Sequence, residues 1–125
     1  MKDNFSEMTD DYIRKINDDD VKDILNDLVD TVTETRKLVI GLDLDNSDKS
    51  YYNSYFEEYI RNIETLLSSF RKLEVLGIER DPGLAEDIKR SIRAFTKKVE
   101  ELKDDMVSRS LNSIKAEVEV ILSKI

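Results

Sequence analysis

Residues 52–73 read YNSYFEEYIRNIETLLSSFRKL, and within them Tyr52, Phe56, Tyr59, Ile63, Leu66, Phe70 and Leu73 recur in alternating steps of four and three. That spacing puts the apolar side chains on one stripe of an α-helix, and such a stripe must be covered by other helices. Two further stretches, Val21–Val39 and Ala85–Met106, carry the same kind of repeat. Three phased segments of this length imply an all-α fold, an elongated antiparallel helical bundle with coiled-coil-like packing.

Helix boundaries follow from the residues around these segments. Gly77 closes the helix that carries the first stripe, and Ser47 or Asp48 is its expected N-cap. The helix then covers 48–76 and spans about 43 Å at 1.5 Å per residue. Before it, Gly41 fits a C-terminal cap, and the polar run 43–50 reads as a loop. The preceding helix covers 20–40, with Val21, Ile24, Leu25, Leu28, Val32 and Val39 on one face. A short first helix over 6–16 has Phe5, Met8, Tyr12, Ile13 and Ile16 as its apolar side and Ser6 or Thr9 as its cap. Asn17–Asp20 turns the chain between these two helices.

Asp81-Pro82 is the sharpest boundary, an N-cap residue followed by proline at the first helical position. A single helix from there over 82–124 would be about 64 Å long. Its apolar residues form two seams. Ala85, Ile88, Ile92, Phe95, Val99, Leu102 and Met106 make the first, and Val107, Leu111, Ile114, Val118, Ile121 and Ile125 the second. The second is rotated from the first by about 100°. Ser108, Ser110, Asn112 and Ser113 occupy the junction. Two arrangements satisfy this geometry. In one the chain breaks near Ser108–Ser110 and the last helix folds back; in the other it runs on and buries its new face against another protomer.

A chain of 125 residues is one domain by size, with 38% charged residues, three glycines and one proline. Cysteine and histidine are absent, so disulfides, the usual zinc and haem ligands, and every Cys-His or Ser-His catalytic arrangement are excluded. No cofactor or metal is expected. Calcium is disfavoured too, because Asp48 stands where an EF-hand loop beginning at Asp43 needs its glycine. The first residues carry acid where a signal peptide needs an apolar run, and no stretch is long enough to span a bilayer. A cytoplasmic location is expected.

The net charge of −8 sits entirely in residues 1–48, which hold 14 acids and 6 bases; residues 49–125 are balanced. Direct nucleic-acid binding by the first part is therefore disfavoured. Asp20, Asp23, Asp27, Asp30 and Glu34 fall on one face of the second helix, nearly opposite its apolar side. They read as a solvated face or as a docking stripe for a basic protein surface. Lys89, Arg90, Arg93, Lys97 and Lys98 form a basic block in the last segment, which suits either a salt-bridged surface or a contact with the acidic stripe of another copy. Four of the five tyrosines cluster at 51–59; Tyr51 and Tyr55, at the edge of the stripe, are the expected partner anchors.

These features favour a non-enzymatic interaction protein, a small helical subunit or adaptor. It is expected to self-associate through Val107, Leu111, Ile114, Val118, Ile121 and Ile125 and to offer its acidic face to a basic partner. The alternative is an acidic inhibitor, of the kind mobile elements carry, that imitates nucleic-acid phosphates in a basic groove. A magnesium-dependent carboxylate enzyme ranks below both.

Overall fold

The computed structural model describes residues 4–125, which form α1 (Asn4–Lys15), α2 (Asp19–Gly41), α3 (Asn46–Leu76) and α4 (Pro82–Ser123). A 3₁₀ turn, Ile78–Arg80, links the last two. The result is an all-α bundle in which α1 and α4 each pack against both α2 and α3. Side-chain contacts set the directions. The Arg36 guanidinium lies over the rings of both Phe5 and Phe56, Asn17 meets Glu74, and Tyr52 meets Asp105. Consecutive helices therefore alternate in direction, and α2 and α4 run the same way.

Side-chain caps start three of the helices. Asp18 accepts a hydrogen bond from Val21 N, Asp45 from Asp48 N and Asp81 from Leu84 N. Asp81-Pro82 acts as its spacing predicts, and Gly77, at φ 109°, ends α3. Three expected caps are corrected. Asp45, not Ser47 or Asp48, caps α3, because its carboxylate reaches the third amide onward. Thr9 lies inside α1, where its buried hydroxyl donates to Phe5 O, and α1 extends back beyond Ser6 to Asn4. At the end of α2, Gly41 stays helical and Asp43 takes the positive φ, at 48°.

The core is a continuous apolar cluster from all four helices, in which Leu25, Leu28, Ile63, Leu67, Phe70, Ile92, Val99 and Met106 are fully enclosed. On α3 the core position belongs to Leu67, and Leu66 is only part-buried. A straight helix drifts by about 20° per heptad from a 3.5-residue repeat, which brings Leu67 nearer the middle of the buried face.

α4 runs unbroken through Ser108–Ser110, so the fold-back arrangement does not form. Serine and asparagine are mediocre helix formers, but each costs only about 0.5 kcal/mol relative to alanine, too little to break a helix already in progress. Met106 is the last buried residue, and none beyond it is buried. The remaining residues of α4, 107–123, extend past the core by about 26 Å.

At the opposite end of the bundle, Glu74 of α3 ties down the α1–α2 turn. Its carboxylate accepts hydrogen bonds from Asn17 N and Asp18 N at 3.0–3.1 Å, and its side chain is only 6% exposed. Glu74→Ala leaves both amides and the Arg71 guanidinium without this acceptor. It should lower unfolding free energy by about 2 kcal/mol in urea denaturation, while Glu74→Gln, which keeps one acceptor oxygen, should lose less.

Candidate interaction surface

One row of α4 organises the surface. Lys89, Arg93, Thr96, Glu100 and Lys103 follow one another in steps of four and three, and Val107, Leu111, Ile114, Val118, Ile121 and Ile125 continue the row. Its first half faces α2. Lys89 Nζ lies 3.3 Å from both Asp18 and Asp20, Arg93 lies 3.6 Å from Asp20, and Lys103 donates to Glu34 at 3.2 Å. The row is therefore charged where the acids of α2 lie beside it and becomes apolar near the point where α2 ends. The six residues from Val107 to Ile125 are 38–95% exposed. Leu122 flanks them and is also exposed. At the root of this overhang a groove of about 380 Å³ separates Leu42 and Leu44 of the α2–α3 loop from Met106, Ser110 and Ile114.

Lys89, which the sequence places in a basic surface block, is buried at 8% exposure. α2 packs on the flank of α4 as well as on its seam, so a lysine about 100° from the seam is covered. Burial alone would lower the Lys89 pKa. Hydrogen bonds to Asp20 and Asp18, with the charges of Asp18 and Glu86, raise it above the ordinary lysine value. Asp18 thus has two tasks, capping α2 through one oxygen and holding Lys89 with the other.

The acidic stripe is divided by the same packing. Asp20 and Glu34 pair with α4, and Asp27 borders a groove with Arg93 and Lys97. Asp23, Asp27 and Asp30 are exposed and have no ion pair among the described residues. Within one chain, Lys89 and Arg93 of the basic block meet Asp20 at the start of the acidic stripe. Among the described residues, no three acidic side chains converge on a point that could hold a metal ion, and no helix is long and apolar enough to cross a membrane.

Tyr51 and Tyr55 sit in an aromatic ladder. The Tyr51 ring packs edge-on against Tyr52 and Tyr55, with centroids 5.2 and 5.1 Å apart, and Tyr55 leads through Tyr59 to Phe95. The Arg109 guanidinium lies 5.5 Å from the Tyr51 ring centroid, so α4 covers part of this ring. Tyr51 keeps an exposed edge, and Tyr55 is half-buried. A hydrogen bond with Tyr55 raises the Tyr51 pKa. Tyr52 donates to Asp105 at 3.4 Å, and burial followed by the Asp105 charge raises its pKa.

Reading the acidic stripe and the basic block separately missed the Lys89–Asp18–Asp20 node and the Glu34–Lys103 pair. A signal for them lies in the shared phase of Lys89, Arg93, Lys103 and Val107. No protein-family model, curated protein or solved structure matches the chain.

Lys89→Ala leaves Asp18 and Asp20 facing each other and should cost about 1–2 kcal/mol in chemical denaturation. The pH dependence has a definite sign. With their folded-state pKa values raised, Lys89 and Tyr52 bind protons more tightly in the native chain than in the unfolded one. Their contribution is present below about pH 10 and is lost as pH rises through the raised values. The Lys89→Met variant should show a smaller alkaline loss in melting temperature than the parent chain.

Proposed function

We propose that this chain is a non-enzymatic interaction protein whose bundle presents the α4 overhang for self-association. The observation that carries the reading is the change along a single helical row, from charged beside α2 to apolar beyond it. An aliphatic stripe with six members in heptad phase is costly to leave in water; covering each half-exposed side chain returns about 1 kcal/mol. A second copy is a fitting cover, because it brings an identical stripe in which leucine, isoleucine and valine oppose their like.

The exposed carboxylates Asp23, Asp27 and Asp30 give the assembled protein an acidic face for a basic partner, with Tyr51 at another edge of the bundle. In this reading Asp20 and Glu34 serve the fold. Three free acids on one helix are a thin imitation of a phosphate backbone, which leaves the inhibitor reading without an observation in its favour.

The test is a double substitution, Ile114→Asp with Val118→Asp, followed by light scattering after size exclusion. The parent chain should have the mass of a dimer or larger species, and the variant should be monomeric with its melting transition unchanged. A monomeric parent chain at all concentrations up to the millimolar range would refute self-association.

A further inference from the structure

α2 and α4 run in the same direction, with Lys89 level with Asp18 and Asp20 and Lys103 level with Glu34. Carried onward, that register sets Gly41, the end of α2, level with Ser110. The apolar stretch of the row therefore lies along the line that α2 would follow if it were longer. A helix can occupy that line from one direction only. A second α4 lying there in parallel would carry its own residues 82–106 back into the volume filled by α2. With the direction reversed, the same residues lead away from the bundle.

We infer that two copies join overhang to overhang, antiparallel about a two-fold axis, so that each tail continues the line of the other copy's α2. This rests on the self-association proposed above and adds its geometry. Isologous pairing of this kind closes the assembly at two copies.

The side chains also select a register. Full overlap would set Val107 opposite the partner's Ile125, pushing the partner's last turn against the end of α2 near Leu42. It would also bring Glu117 beside the partner's Glu117 and Lys115 beside the partner's Lys115. Moving the copies apart by one heptad, about 10 Å, removes all three conflicts. Val118 then faces the partner's Ile121, and Ile114 faces the partner's Ile125. Glu117 meets the partner's Lys124, and symmetry makes that pair twice. Charges flanking an apolar seam set orientation and register in this way.

Because the chain contains no cysteine, single cysteines report the arrangement directly. Val118→Cys mixed with Ile121→Cys should give a disulfide-linked heterodimer, whereas Leu111→Cys alone and Ile125→Cys alone should not link to themselves. Glu117→Lys should weaken association by about tenfold, and adding Lys124→Glu should restore it. Self-linking by Leu111→Cys and Ile125→Cys would establish a parallel pair and overturn the inference while leaving self-association intact. Failure of the double charge swap to restore binding would overturn the register. A monomeric mass with no cross-link in any combination would refute the inference together with the reading it rests on.

Discussion

The ion pairs between α2 and α4 fix where everything else lies. Lys89 held by Asp18 and Asp20 sets two parallel helices in one register, and the exposed Lys103–Glu34 pair keeps the same register farther along. Lys89 is covered, and its carboxylates form part of a node that also includes the cap of α2 and, through Glu74, the end of α3. Breaking a covered pair of this kind is expensive, because it leaves an uncompensated charge, so the two helices keep the register in which it forms. Once α2 is pinned, its end is pinned, and with it the point at which α4 loses its neighbour.

The chemistry of α4 follows that point closely. Beside α2 the row is polar, and three of its five members, Lys89, Arg93 and Lys103, pair with carboxylates of α2 or its cap. From the last turn of α2 onward it holds Val107, Leu111, Ile114, Val118, Ile121 and Ile125, all exposed. A helix that ran on merely as a solvated spacer would be expected to turn polar there. The proposed antiparallel pair covers the outer part of this stretch, from Ile114 to Ile125, and keeps the residues before it clear of the bundle.

Much of the fold was legible because helical periodicity and capping are local. The Tyr52–Leu73 repeat, the Asp81-Pro82 start and the Gly77 stop each depend on residues within a turn or two, and the helices lie within a few residues of their expected bounds. What was not legible depends on which helix lies beside which. Periodicity places Lys89 in the same row as the second seam, but it does not show that α2 lies beside the first half of that row and ends where the seam begins. Nor did it show that the basic block and acidic stripe would meet inside one chain. The displacement of Leu66 by Leu67 in the core has the same origin, since a choice between adjacent positions depends on where the neighbouring helices sit. The continuity of α4 turned on a small sum of propensities at Ser108, Ser110, Asn112 and Ser113, which sequence spacing alone leaves open.

Amide hydrogen exchange across α4 at two protein concentrations is the most direct examination of whether a second copy covers the overhang. A helical extension without tertiary contacts is marginal in water and opens readily, whereas the amides before Met106 are held by the core. Protection of residues 107–123 should rise with protein concentration while that of residues 85–106 stays constant. Equal protection of both stretches at every concentration, in a chain of monomeric mass, would contradict it.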